Sequence, residues 1–141
     1  MLGGGEQPAA LKCITKPVED ILLVEDNEIN REIMLSQLTA MGYRVAMAAD
    51  GKEALQLYKD NAYDVILTDI EMPQMNGYEL TTEIRRLETG TERSTPILAI
   101  TASEFDLNEE RAAASGFNGY MLKPLEVELL KKKLAGIGCK G

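Results

Sequence analysis

Histidine and tryptophan are both absent from this chain of 141 residues. Without histidine, the chain cannot carry a Ser-His-Asp or Cys-His catalytic site, a histidine metal ligand or a phosphohistidine of its own. Aromatic residues make up only 5% of the sequence, whereas apolar residues as a whole make up 45%. We therefore expect a core built mainly from aliphatic and methionine side chains.

Cysteine and positive charge are also scarce. Cys13 and Cys139 lie near opposite ends of the chain, where they form neither a metal-ligand spacing nor a disulfide framework. The net charge of -8 argues against binding to nucleic acid or anionic lipid, and it favours binding to cations or to a basic partner surface. No apolar run approaches the ~18 residues of a membrane span, and no signal-peptide core is present. We expect a cytoplasmic domain that makes no direct membrane contact.

The chain length is typical of one domain. Glycines at positions 3–5 and prolines at positions 8 and 17 predict a flexible tail or linker over residues 1–18. The domain itself is expected over residues 19–137, followed by a short tail at residues 138–141. Within the domain, short apolar runs alternate with helical patterns in five strand–helix units. Such alternation predicts an α/β fold with a parallel sheet that is covered by helices on both faces.

The predicted strands span residues 21–24, 44–49, 64–68, 96–101 and 120–122. Helices are predicted from Asp26 or Asn27 to residue 41, and over residues 52–60, 78–87, 107–115 and 126–135. In the third helix, Leu80, Ile84 and Leu87 recur at helical spacing and are expected to face the core. The fourth helix is poor in large apolar residues, so we expect it to be the least firmly anchored.

Several strands of the predicted sheet end on polar side chains. Glu25 and Asp26 follow the first strand, Asp69 follows the third, Thr101 ends the fourth, and Lys123 follows the fifth. The carboxyl ends of parallel strands meet at one edge of a sheet. Three carboxylates crowded there repel one another, and a cation such as Mg²⁺ would relieve that repulsion. The set suits phosphoryl transfer with Asp69 as the favoured acceptor.

These residues and their neighbours resemble the response-regulator receiver domain of two-component signalling. The resemblance is carried by Val24-Glu25-Asp26-Asn27, by Asp69 with Met72-Pro73 and Asn76-Gly77, by Thr101-Ala102 and by Lys123-Pro124. It covers about residues 21–134, and the stretch from residue 24 to residue 31 is similar to receivers attached to hybrid histidine kinases. The resemblance implies a flavodoxin-like, doubly wound (βα)5 fold with strand order 2-1-3-4-5.

The resemblance also implies a role for each acidic residue of the set. Asp69 would be the phosphoacceptor, and Asp26 and Asp69 would bind Mg²⁺ directly. The main-chain carbonyl of Glu71 would be a further ligand, and Glu25 would act through water. Many family members have aspartate at the position of Glu25, so the longer glutamate side chain departs from the family pattern there.

The remaining implications concern the switch and the partner. Lys123 would contact the phosphoryl group, with a cis peptide bond to Pro124. Thr101 would move toward the phosphoryl group, and Tyr120 would turn inward behind it. The phosphoryl donor would be a histidine kinase or a histidine phosphotransfer domain, which would approach near the exposed Ile29. A receiver of this kind is a signalling phosphoacceptor that catalyses only its own phosphorylation and dephosphorylation, and a weak homodimer is allowed.

Three alternative functions share parts of this pattern. An FMN-binding flavodoxin has the same fold, but Glu25 and Asp26 would repel a flavin phosphate. A metal-dependent phosphatase with an aspartate nucleophile usually carries a paired Asp-x-Asp on its first strand, whereas here Asp69-Ile70-Glu71 lies on the third. A receiver-like interaction module that never takes phosphate is the third alternative, against which the intact set of Asp26, Asp69, Thr101 and Lys123 argues.

Overall fold

The computed structural model describes residues 18–103 and 107–138, except for the side chains of residues 137 and 138. The predicted tails at residues 1–18 and 138–141 fall outside this part of the chain, apart from Val18 and Gly138. Five parallel strands form one sheet in the order β2-β1-β3-β4-β5, which confirms the predicted order. The strands are β1 (Asp20–Val24), β2 (Arg44–Ala48), β3 (Val65–Asp69), β4 (Ile97–Thr101) and β5 (Gly119–Leu122).

A helix follows each strand. The helices are α1 (Glu28–Ala40), α2 (Gly51–Asp60), α3 (Gly77–Glu88), α4 (Glu109–Ser115) and α5 (Val127–Gly138). Side chains of α1 and α5 pack on one face of the sheet, and those of α2 and α3 pack on the other. Both faces of the central strands are therefore covered, which explains their continuous apolar runs. None of the helices in the described ranges is long and apolar enough to cross a bilayer.

Polar residues cap the helices that follow the first four strands. Asn27, Asp50, Asn76 and Asn108 each accept a hydrogen bond from a backbone N–H in the first turn of their helix. At Asn76 the bond is reciprocal, because Glu79 accepts from the backbone N–H of Asn76. Each cap starts its helix directly beyond a strand end or a short loop, which keeps the connections near the site edge short.

The third and fifth helices differ from the predictions. Leu87 is 42% exposed, whereas Glu88 is only 7% exposed. The prediction that these residues face the core is therefore confirmed for Leu80 and Ile84 and is wrong for Leu87. The side chain of Glu88, held by polar contacts, takes the buried position instead. The fifth helix continues through Gly136 to Gly138 instead of ending at residue 135. A glycine inside a helix lowers its stability by only about 1 kcal/mol, which at Gly136 is not enough to end the helix.

Candidate functional site

Asp69 is the last residue of β3, in the middle of the sheet. Strand β3 lies between β1 and β4, with Val24 beside Thr68 and Ile100 beside Asp69. The residue that follows Val24 is therefore brought to the same edge as Asp69. The register of the parallel strands thus places Glu25 and Asp69 at one edge, which confirms the prediction that the strand-end acids converge.

Three carboxylates and one ammonium group meet at this edge. Glu25, Asp26 and Asp69 each offer one carboxylate oxygen, and these oxygens lie within 4.8 Å of one another. Lys123 Nζ lies 2.7 Å from Glu25 Oε1 and 3.3 Å from Asp69 Oδ2. The sequence-predicted acids and lysine thus form one cluster, although they come from three separate strands.

Burial and neighbouring charges shift the pKa values of Asp69 and Lys123. Loss of solvent, followed by the negative charge of Glu25, raises the pKa of Asp69 to about 7, although Lys123 acts in the opposite direction. Burial alone would lower the pKa of Lys123, but hydrogen bonding to Glu25 and the charge of Asp69 raise it above its ordinary value. Carboxylates that repel in this way fit a divalent cation, which prefers oxygen ligands and would neutralise them.

Glu25 is, with Asp69, one of the two buried members of the acid cluster. Its Oε2 accepts a 3.0 Å hydrogen bond from the backbone N–H of Asn27, and Arg31 donates a 2.8 Å bond to its backbone carbonyl. Together with the Lys123 contact, these bonds hold the carboxylate between the first loop and the fifth strand end. Arg31 was not among the predicted site residues. The signal that could have indicated it is its position one turn into the helix that follows the acids.

The predicted switch residues lie behind the carboxylates. Thr101 ends β4, is buried, and donates a 3.0 Å hydrogen bond from its hydroxyl to the carbonyl of Ser103. Its own carbonyl accepts from the N–H of Lys123, whose peptide bond to Pro124 is cis as expected. Tyr120 on β5 is half-buried and packs against the apolar cluster beside α4. The hydroxyl and the ring therefore lie on neighbouring strands.

The loop after Asp69 carries Glu71, whose side chain is exposed. Its return to the sheet depends on Gly77, where the N–H donates a 2.9 Å bond to the carbonyl of Ile70. A β carbon at Gly77 would lie 2.5 Å from the carbonyl oxygen of Asp69. Only glycine allows this approach, so the start of α3 is pressed against the backbone of the acidic strand end. The Asn76-Gly77 pair that carries the family resemblance contains this glycine, but the sequence gives no sign of the close approach.

The family described as the response regulator receiver domain matches residues 21–135, and the chain belongs to it. The sequence is 37% identical over 115 residues to the sensor histidine kinase RcsC of Salmonella typhimurium, covering 82% of this chain and 12% of that protein. It is 42% identical over 123 residues to hybrid signal transduction histidine kinase G of Dictyostelium discoideum, covering 85% of this chain and 4% of that protein. The chain thus spans a small part of the length of these relatives.

Solved structures give the same family. The receiver domain of sensor histidine kinase PA1611 from Pseudomonas aeruginosa, solved with a magnesium ion in its active site cleft, is 36% identical with a TM-score of 0.76, over 86% of this chain and 98% of that chain. A chain of the Saccharomyces cerevisiae complex between the histidine phosphotransfer protein Ypd1 and the receiver domain of Ssk1 is 31% identical with a TM-score of 0.78, over 87% and 90%. The predicted family is confirmed, including its similarity to receivers of hybrid kinases.

Proposed function

We propose that this chain accepts a phosphoryl group on Asp69 in a two-component phosphorelay. The observation that carries the proposal is the grouping of Asp69 with Lys123 at 3.3 Å and with two further carboxylates within 4.8 Å. Phosphoryl transfer requires positioning and neutralisation of charge more than covalent chemistry by the protein. A carboxylate at a buried strand end, with the ammonium group of Lys123 beside it and further carboxylates that can hold a cation, meets that requirement.

In the transfer step, an Asp69 carboxylate oxygen forms a bond to phosphorus while the bond from phosphorus to the donor histidine nitrogen breaks. The imidazole leaves with the electron pair of that bond. Lys123 carries a positive charge beside the acceptor and compensates charge on the phosphoryl oxygens. We propose that the domain acts as a signalling phosphoacceptor that catalyses only its own phosphorylation and dephosphorylation.

Mg²⁺ is the cofactor that this site fits. The crowded carboxylates and the raised pKa of Asp69 are the features that a divalent cation would relieve. We assign Asp26, Asp69 and the main-chain carbonyl of Glu71 as direct ligands, and Glu25 as a ligand through water. When bound, Mg²⁺ supplies positive charge that the phosphoryl oxygens can share with the carboxylates.

The response to phosphorylation begins at Thr101. In this structure its hydroxyl donates a hydrogen bond to the carbonyl of Ser103. A phosphoryl group on Asp69, on the neighbouring strand, would offer charged oxygens that accept a stronger hydrogen bond. We propose that the hydroxyl turns toward them and that Tyr120 moves further inward into the space behind it. Ala112 and Ser115 are the buried residues of the neighbouring helix α4, and because it buries so little we propose that it is the element that shifts.

We propose a histidine kinase or a histidine phosphotransfer domain in the cytoplasm as the donor. Ile29 and Ile33 on α1 are 71% and 51% exposed, and their spacing of four residues places them on one face of the helix near the acidic cluster. An apolar groove of about 310 Å³ connects Ile33 to Lys123 along the same edge. A donor that brings its phosphohistidine to Asp69 must cover this edge, and an apolar helix face on the donor would cover both isoleucines. No role for nucleic acid or membrane contact is proposed.

The test of phosphorylation is the intact mass of the protein after treatment with acetyl phosphate and Mg²⁺. Wild type is expected to gain one phosphoryl group, and Asp69→Asn none. Equal adducts on both proteins would refute Asp69 as the acceptor. No adduct on wild type, together with no binding of beryllofluoride, would favour the alternative of a phosphate-independent interaction module.

The donor surface is tested separately with a phosphorylated histidine phosphotransfer domain. Ile29→Ser with Ile33→Ser is expected to slow transfer from this domain while leaving phosphorylation by acetyl phosphate unchanged, because the small donor needs no docking surface. Leu129→Ser, at a 40% exposed leucine on α5, is the matched control and is expected to leave both reactions unchanged. If the double isoleucine variant accepts phosphoryl groups from the protein donor as fast as wild type, the proposed surface is wrong.

A further inference from the structure

The loop that connects Asp69 to α3 is held at its end near the phosphoacceptor. It leaves the sheet after Asp69, and the carbonyl of the next residue, Ile70, accepts the N–H of Gly77 at 2.9 Å, so the two ends of the loop are joined. Between these ends, Met72 is buried in the apolar cluster under α2 and α3. The Glu71 carbonyl lies between Ile70 and Met72 and is therefore oriented by the anchors on either side of it.

The far side of this loop has an unfavourable backbone conformation. Gln74 has a φ of 68°, and the N–H of Met75 donates a 2.7 Å hydrogen bond to the carbonyl of Pro73, which makes a γ-turn centred on Gln74. A non-glycine residue in this region costs about 1–3 kcal/mol and persists only where the surrounding structure holds it. Some contact of the loop must therefore hold the turn in place.

That contact is made by Met75 with the first residue of α2. A β carbon at Gly51 would lie 2.9 Å from each of Met75 Cβ, Cγ and Sδ. Because one of these atoms is the β carbon of Met75 itself, a different methionine rotamer would not remove the overlap. The φ of Gly51 lies outside the left-handed region, so its backbone does not require glycine. The absent side chain therefore serves to admit Met75 against the backbone of α2.

We propose that Gly51 is a positioning residue for the phosphoacceptor loop. By letting Met75 pack directly on α2, it holds the γ-turn at Gln74 and thereby the Glu71 carbonyl in the orientation that binds Mg²⁺. This inference rests on the proposed function, since it assigns Gly51 to the same magnesium site. It extends that site to a helix that contributes no ligand.

The test compares two glycine-to-alanine substitutions in helices. Gly51→Ala is expected to weaken Mg²⁺ binding, measured by calorimetric titration of the full chain, about tenfold, equivalent to about 1.4 kcal/mol. It should also speed amide hydrogen exchange at residues 71–76. Gly136→Ala in α5 is the matched control, because no atom lies within 4 Å of its β-carbon position. The control should bind Mg²⁺ as wild type does.

A second variant tests the contact from the other side. Met75→Ala removes Cγ and Sδ without adding volume, so it should fold, release the loop and also weaken Mg²⁺ binding. In a double-mutant cycle, Gly51→Ala should have a smaller effect in the Met75→Ala background than in wild type, because only one of the three close atoms remains. Additive effects would overturn the inference.

The outcomes also separate this inference from the proposed function. If Gly51→Ala lowers the free energy of unfolding but binds Mg²⁺ as tightly as wild type, Gly51 has a packing role only and the inference is overturned. If wild type binds no Mg²⁺ and gains no phosphoryl group, the proposed function itself fails, and the inference fails with it.

Discussion

The hydroxyl of Tyr58 on α2 donates a 2.7 Å hydrogen bond to Glu88 Oε2 at the end of α3. The same carboxylate accepts the backbone N–H of Thr95 at 2.9 Å and an Arg85 Nη1–H at 2.8 Å. Burial by itself would raise the pKa of Glu88, but the bonds from Thr95, Tyr58 and Arg85 outweigh it, so the pKa is lowered. A buried charge is thus satisfied by three donors from three parts of the chain.

This network predicts a pH-dependent loss of stability in Glu88→Gln. A carboxyl whose pKa is lower in the folded state stabilises the protein above its unfolded pKa, and that contribution is lost as the pH falls through the folded pKa. At neutral pH the variant should be less stable by about 1–3 kcal/mol. The difference should shrink below about pH 4, where unfolded glutamate becomes protonated. Urea unfolding across this range measures it, with the partly exposed Glu83→Gln as control; a difference that is independent of pH would contradict the prediction.

Tyr78 holds the start of α4. Its hydroxyl accepts the backbone N–H of Asn108 at 2.9 Å, while its ring packs edge-on against Phe117. Tyr78→Phe keeps the ring and removes one hydrogen bond worth about 1 kcal/mol. We expect amide exchange at the N-terminal end of α4 to rise about fivefold, with β4 unchanged. Tyr43→Phe, a half-buried tyrosine on the other side of the sheet, should leave α4 unaffected. Unchanged exchange in Tyr78→Phe would refute the role of the hydroxyl.

Arg85 holds the other end of α4. Its Nε and Nη2 donate to the carbonyl of Gly116 at 3.1 and 2.8 Å, and Nη1 donates to the carbonyl of Thr95 at 2.8 Å. Lysine cannot reproduce this planar fork. Arg85→Lys should therefore lower the free energy of unfolding by about 2 kcal/mol. The control is Arg86→Lys, whose 70% exposed side chain pairs with Glu83 in its own helix. Equal urea midpoints for the two variants would contradict this prediction.

The acid cluster predicts that Asp69→Asn stabilises the metal-free protein. Burial and the charge of Glu25 both oppose ionisation of Asp69, so removing its charge should raise the free energy of unfolding by about 1 kcal/mol. Added Mg²⁺ should stabilise wild type by mass action more than the variant and narrow the difference. Asp26→Asn, at the exposed member of the cluster, should have a smaller effect. Thermal unfolding with and without Mg²⁺ checks this, and a less stable Asp69→Asn protein would refute it.

Much of the fold could be predicted because its signals are local. Short runs of three to six residues next to helical repeats located all five strands and all five helices, with errors of no more than three residues at any boundary. The convergence of Glu25, Asp26, Asp69 and Lys123 also followed, because parallel strands place their carboxyl ends at one edge. The roles assigned to these residues remain predictions for the experiments above.

The contacts that depend on residues far apart in the chain could not be predicted. Helical spacing alone allows either Leu87 or Glu88 to face inward. Glu88 is the buried residue because Tyr58 and Thr95 donate hydrogen bonds to its carboxylate. Gly51 is an ordinary helix start in the sequence, and only the folded chain brings Met75 against it.

The sequence by itself therefore determined the order of elements, the sheet edge that carries the carboxylates and the family. These depend on patterns within one segment and on the general rules of parallel sheets. The tertiary structure decided which polar groups are buried and how the loop after Asp69 and the helix α4 are held. Those features depend on the packing of side chains from different segments. The free energy of that packing depends on distances between residues far apart in the sequence, which local sequence patterns do not specify.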